Sequence, residues 1–340
     1  MPKKNVTIYD IAEEAGVSIS TVSRVITGNA PVRESTRQRV QATIDKYNFQ
    51  PNAIARTLFK KESMTLGFIL PDITNPFFSM VFGEAEKHAL AADYSMILCN
   101  TRNDYDIEAK SLRILAEKQV DGIIFMGGRI NRTRTDPGEA AEVQAILENI
   151  PIVMVNGRMN GVDCHIVRTN ERQGVFDLVA YLADQGHKTV GLLGGMRGMT
   201  AADIKVRAFK QSAQEHGLEY RDEWIILPDD FSIGCGTDTM LQLLEQGDYP
   251  TAVLGINDLV AIGAIKGAHQ YGLSVPDDIA ITGFDDIHLA EIFPPGITTI
   301  SHNFDQLGLI AIEVMIGLLN GEKVRKETVI ETTLVVRSSA

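Results

Sequence analysis

Residues 7–28 read TIYDIAEEAGVSISTVSRVITG, and this run decides how the amino-terminal part folds. Thr7 stands before Ile8, Ile11, Ala12 and Ala15, which recur at helical spacing, with the acids Asp10, Glu13 and Glu14 among them. A hydroxyl N-cap followed by early acids suits the positive end of a helix dipole. Gly16 is expected to stop this helix in a left-handed backbone conformation. Ser18 then caps a second helix with Val22, Val25 and Ile26 on its apolar side and Gly28 at its end. A third helix is expected from about Glu34 to Tyr47, with Val40, Ile44 and Tyr47 apolar. Ala12 has to be small where the second helix crosses it, and Val17, Val22 and Val25 fill the wedge. Small residue, glycine and apolar positions fall in register as a helix-turn-helix.

In such a motif the second helix reads DNA. Its exposed early residues are Ile19, Ser20 and Thr21, with Arg24 one turn on. An arginine can bond a guanine edge at two points, and a hydroxyl or aliphatic side chain suits mixed polar and thymine-methyl contacts. Thr7, Ser18, Ser23 and the Arg33–Arg39 cluster are placed for phosphates, which fix register without reading sequence. The charge distribution agrees. The chain carries a net charge of −12, yet residues 1–62 hold ten Lys and Arg against six acids, +4 on the head and −16 on the rest. A basic head on an acidic body is expected where only the head meets phosphate.

After Ser63 short β-rich runs alternate with helical ones. TLGFIL (65–70), YSMILC (94–99), DGIIFM (121–126), PIVMVN (151–156), TVGLLG (189–194), TAVLGI (251–256), IAITGF (279–284) and ITTI (297–300) are separated by helical patterns such as 78–92, 106–118, 173–185 and 258–271. This alternation means βαβ units and parallel sheets covered by helices. So long a stretch exceeds one core, so two doubly wound α/β lobes are expected behind the all-α head. Ligands of such sheets bind outside the C-terminal ends of the strands. That rule selects Asp72, Asn100–Arg102, Asn156, Met196–Arg197, Asn257–Asp258 and Asp285–Asp286. Amides and carboxylates of this kind bond neighbouring hydroxyls, and Phe77, Phe78 and Phe231 can stack on a sugar. Any single Asp is more often a helix N-cap; the convergence of the set carries the reading.

The run 7–28, followed by TRQRVQATIDKYNFQPNAIARTL (36–58), resembles the head of the lactose-repressor/galactose-repressor family. The resemblance implies base reading by Ile19, Ser20 and Arg24. It also implies a hinge helix near Asn52–Phe59, with Asn52, Ala55 and Arg56 approaching the minor groove and Leu58 wedged into it. Arg56 also fits a solvated surface position. PDITNPFF (71–78), KQVDGIIF (118–125), GHKTVGLLGG (186–195), PTAVLGINDLVAIGAI (250–265), GLSVPDDIAITGFDD (272–286) and PPGITTI (294–300) are similar to the family's effector domain, which has the fold of periplasmic sugar-binding proteins. By that match Asn257 and Asp285 rank first as effector ligands, ahead of Lys205, Asn156, Phe231 and the segment Asn75–Phe78. His302 takes a position that is commonly Gln, Lys205 one that is usually Arg, and Asn170 one that is usually Asp, so effector identity does not transfer.

The expected bounds are a helix-turn-helix domain over 1–51, a hinge and linker over 52–62, and an effector-binding and dimerisation domain over 63–340. Within it an N-lobe covers about 63–165 plus 302–325, and a C-lobe about 166–300 plus 326–340. The resemblance implies allosteric repression of carbohydrate-utilisation genes. Its partners are a double-stranded, pseudo-palindromic operator, a small carbohydrate effector and a second copy of the chain. A catabolite-control mode, answering to a phosphorylated protein, stays open beside it. No leucine heptads of a tetramerising tail follow, so a homodimer is expected.

Other classes find less support. GLLGGMRG (191–198) is not G-x-G-x-x-G, and no phosphate-binding loop, H-E-x-x-H, paired CxxC or G-x-S-x-G occurs. Neither catalysis, metal nor cofactor is therefore expected. An exported solute-binding protein would need a signal peptide where this head stands. With Cys99, Cys164 and Cys235 solitary, a reduced, cytoplasmic protein is expected, its cysteines packing residues. No apolar run approaches the ~18 residues of a membrane helix.

Overall fold

The computed structural model describes residues 6–27, 30–47 and 62–340. The chain divides into two compact units, Met1–Ser63 and Met64–Ala340.

In the first unit the described helices are α1 (Ile8–Glu14), α2 (Ile19–Thr27) and α3 (Glu34–Tyr47). Thr7 starts α1 with a reciprocal cap: its N–H donates to Asp10 Oδ2 at 2.8 Å, and the Asp10 N–H donates to Thr7 Oγ1 at 3.4 Å. Gly16 turns the chain at φ +63°, and no atom within 4 Å would meet a Cβ there. Glycine is required by backbone conformation at this turn, not by crowding. Ile11, Ala12, Ala15, Val22 and Val40 form the buried centre, with Val17, Val25 and Ile44 packed against it. Tyr47, expected on the apolar side of α3, is exposed instead, and its hydroxyl donates to Glu14, which also pairs with Lys46.

In the second unit β1 (Thr65–Leu70), β2 (Ser95–Asn100), β3 (Gly122–Met126), β4 (Ile152–Val155), β5 (His165–Thr169) and β11 (Glu327–Ile330) form one parallel sheet, in the order β11-β5-β4-β3-β1-β2. Its central strands are nearly all apolar because both faces are covered. Leu66, Phe68, Ile124 and Met126 lie beneath α4 (Pro76–Ala91) and α12 (Phe304–Leu319). Ile69, Ile123 and Phe125 lie beneath α5 (Tyr105–Glu117) and α6 (Pro137–Leu147).

A second parallel sheet orders β7 (Ile225–Ile226), β6 (Val190–Leu193), β8 (Ala252–Gly255) and β9 (Ala280–Thr282) as β7-β6-β8-β9. Its core is shared with α7 (Glu171–Asp184), α8 (Thr200–Glu215), α9 (Ile233–Glu245) and α10 (Asp258–Tyr271). The α9 and α10 backbones cross so closely that a Cβ at Gly263 would collide with the Ile233 carbonyl. β10 (Thr299–Ser301) and β12 (Thr333–Val335) form an antiparallel pair.

The lobe boundaries expected from sequence need correcting. Residues 166–169 and 327–330 fall within the expected C-lobe, yet β5 pairs with β4 and β11 with β5 in the six-stranded sheet. The N-lobe therefore runs to Thr169 and takes in β11. The chain passes between lobes near Asn170, near His302–Asn303 and near Glu331–Thr332. Among the described residues, no helix is long and apolar enough to cross a membrane.

Candidate functional site

The first candidate site is one face of α2. Val22 is fully buried, which directs Ser20 and Arg24 outward, and both are exposed. Ser18 starts the helix: the Thr21 N–H donates to its Oγ at 3.2 Å, and that oxygen lies 2.8 Å from Ser20 Oγ and 2.9 Å from Thr21 Oγ1. A patch of hydroxyls therefore stands at the end of the helix where the dipole favours anions. Arg33, Arg37 and Arg39 are exposed as well. Thr7 is exposed, but its hydroxyl donates to Asp10 Oδ2 at 2.6 Å.

Two expectations change here. Ile19 is half-buried against the head core, so only part of its side chain is presented outward. Ser23, expected at a phosphate, is only 8% exposed, because it follows Val22 on the inward side of the helix. Gly28, Asn52, Ala55, Arg56 and Leu58 lie outside the described residues.

The second candidate site is a cleft of about 720 Å³ between the two lobes of the body, at the C-terminal ends of both sheets. Asn75, Phe77, Phe78, Asn156, Lys205, Phe231, Asn257 and Asp285 all line it. Helix starts and strand ends set them there. Asn75 caps α4, its side chain accepting from the Phe77 N–H at 3.0 Å; Asn257 caps α10, accepting from the Val260 N–H at 2.8 Å. Asn257 Nδ2 also donates to the Phe231 carbonyl at 3.2 Å, which ties two wall residues together. Asn156 (φ +48°) and Asp285 (φ +116°) both hold left-handed backbone conformations. Strain of this kind persists where the surroundings impose it, and functional sites are a common place to find it.

Lys205 is buried at the floor of the cleft. Its Nζ donates to the Ile256 carbonyl at 3.1 Å and stands 3.7 Å from the Phe284 ring centroid. Glu171 and Asp285 each place a carboxylate oxygen 3.9 Å from it. Glu171 is a lining residue that sequence reasoning missed. It follows β5, whose half-polar sequence HIVRT reads weakly as a strand, so the strand-end rule does not reach it.

His302 does not line the cleft, contrary to expectation; it is fully buried behind the wall. Its Nδ1 lies 2.7 Å from Thr169 Oγ1 and its Nε2 3.1 Å from Asp285 Oδ1. Thr169 in turn donates its backbone N–H to Asn156 Oδ1 at 2.8 Å. A buried chain of hydrogen bonds thus joins a cleft residue of the N-lobe to one of the C-lobe.

The remaining buried acids serve the scaffold. Asp258 accepts from Thr299 Oγ1 at 2.6 Å and from the Ile287 N–H at 2.8 Å. Burial, reinforced by the nearby Asp285 charge, holds its carboxyl well above the usual range. Behind the N-lobe wall Arg129 pairs with Glu108 and, at 2.9 Å, with Glu142. Burial pushes Glu108 up to about 7 against the pull of that guanidinium. Cys164 and Cys235 are buried, and burial raises both thiols to about 11, as suits packing residues.

A fold of two doubly wound lobes with a cleft between them, preceded by a helix-turn-helix, defines a ligand-responsive DNA-binding regulator. Residues 7–52 match the model of the bacterial regulatory proteins of the lacI family, and residues 179–340 match that of the periplasmic binding protein-like domain. Catabolite control protein A of Priestia megaterium is 35% identical over 94% of each chain. The transcriptional repressor PurR of Photobacterium profundum is 33% identical over 98% of each. Among solved structures, the lac repressor dimer bound to operator and an anti-inducer superposes with a TM-score of 0.87, at 26% identity over 99% of each chain. The chain belongs to the lacI family of bacterial regulatory proteins.

Proposed function

We propose that this protein is a cytoplasmic transcriptional repressor. It binds a pseudo-palindromic operator as a homodimer and releases it when a small carbohydrate occupies the cleft. The observation that carries the DNA half is the two-sided character of α2: Val22 fully buried, Ser20 and Arg24 exposed. The helix is held from behind and presents a guanidinium and hydroxyls in front, as base reading requires. The effector half rests on the amides, carboxylates and aromatic rings gathered in one cleft. Two ligands that favour different arrangements of one protein are reciprocally coupled, typically by ~1–3 kcal/mol.

Selection of bound sequences from a random DNA pool by the full chain tests the first half. Enrichment of an inverted repeat, with half-sites about one or more helical turns apart, is expected. Recovery of DNA without sequence preference would sink the repressor reading.

A further inference from the structure

Resting on the reading of the cleft as an effector site, we propose that it is built for an uncharged, polyhydroxylated solute and turns away phosphorylated and carboxylated ones. Among the described lining residues, Asp72, Glu171, Asp230 and Asp285 face a single cation, Lys205. That cation is already engaged. It donates to the Ile256 carbonyl, lies against the Phe284 ring and has Glu171 and Asp285 on either side at 3.9 Å. A phosphate brought to Lys205 would meet two carboxylates at the same distance scale, in a partly buried site where charge repulsion is weakly screened.

Most helix N-termini at the cleft, the other usual anion receptors, are taken by the chain itself; α8, whose N-cap Met199 makes no side-chain bond, instead carries Asp203 in its first turn. At the start of α4 the Phe77 N–H donates to Asn75, at α9 the Cys235 N–H donates to Ser232 Oγ at 3.1 Å, and at α10 the Val260 N–H donates to Asn257. At α7 the first turn carries Glu171, a negative charge where an anion would sit. Neutral hydroxyls meet the opposite situation. They can donate to Glu171 and Asp285 and accept from Lys205. Asn131 Oδ1, an acceptor, and Asn156 Nδ2, a donor, are also buried at this wall without a partner among the described residues. A hydroxyl both donates and accepts, whereas an ionised phosphate oxygen can only accept.

Thermal-shift and calorimetric titration of the full chain with matched pairs tests the proposal: ribose and ribose 5-phosphate, glucose and glucose 6-phosphate, cellobiose and its phosphorylated form. At least one neutral member should bind, and its phosphorylated partner should bind at least about a hundredfold more weakly. In Glu171→Gln that gap should narrow by about tenfold, because one repelling charge is gone while the hydrogen-bonding shape is kept. Preferential binding of a phosphorylated member overturns the proposal, as does a panel in which no neutral sugar binds. Loss of the phosphorylated sugar's binding in Lys205→Met would show that the cleft is still the effector site. A sugar whose affinity is unmoved by both Asn156→Ala and Asp285→Asn would instead overturn the cleft reading itself.

Discussion

The two units of this chain build their sites in opposite ways. In the head the proposed DNA-reading residues are local: Ser18 starts α2, and Ser20 and Arg24 on that helix point away from a small core in which five apolar side chains are buried. In the body the cleft residues come from Asn75 to Asp285, and several of them, Lys205, Asn257 and Asp285 among them, are themselves buried. The head presents chemistry to a partner, whereas the body encloses it. Substitutions should therefore separate stability from function cleanly in the head and mix them in the body.

The largest test of that contrast is Arg129→Met. Arg129 and Glu108 are 2% and 1% exposed, so removing the guanidinium leaves a buried carboxyl with a backbone N–H but no counter-charge, and a cost of ~3–5 kcal/mol is expected. The pH dependence has a definite sign. Glu108 is raised to about 7 in the folded state, so folding gains from its protonation at low pH and loses that gain as pH rises through this value. Losing Arg129 raises the carboxyl further, and urea unfolding should show a greater deficit at pH 8 than at pH 5. Equal deficits would mean that packing, not charge, holds the pair.

Next is Val22→Ala, which removes two methyl groups from a fully buried side chain of the head and should cost about 2 kcal/mol. Calorimetry should show the head transition falling while that of the body stays in place. A matching fall in both transitions would show that the units do not melt independently. Arg24→Ala should leave stability alone, since the side chain is exposed. It should weaken binding to a selected operator by ~1–3 kcal/mol and to random DNA far less. Losses equal on both would reduce Arg24 to a phosphate contact. The smallest effect belongs to Gly16→Ala, about 1 kcal/mol, since the new Cβ meets nothing and only the φ of +63° resists it. No measurable change in the head's midpoint would show that the turn relaxes to a negative φ.

How much of each site could be read beforehand follows the same division. The three head helices were legible almost to the residue, Glu34–Tyr47 included, because caps, turn glycine and apolar spacing are all local signals. In the body the central strands were legible for the same reason: β1 and β3 are buried on both faces and read as apolar runs. β5 (HIVRT) and β11 (ETVI) were not, since they occupy one side of the sheet, are half-exposed and carry His165, Arg168 and Glu327. Losing β5 hid Glu171 as well. His302 shows the converse failure: its match to a family position suggested the cleft, but its burial between Thr169 and Asp285 depends on residues 133 and 17 positions away. No local pattern reports such a pairing. Ser23 was misplaced for a smaller reason, as one step around α2 separates an outward side chain from an inward one.

The order of synthesis gives the six-stranded sheet a late finish. β1 to β5 leave the ribosome early, but the helix that covers one face, α12, and the strand that closes the β5 side, β11, come only after the whole C-lobe. Until these have emerged, the growing chain carries an unpaired edge at β5 and an apolar layer, including Leu66, Phe68 and Ile124, that α4 alone covers. The lobe begun first is completed last, and a premature stop after Ser301 would damage the part of the body made earliest.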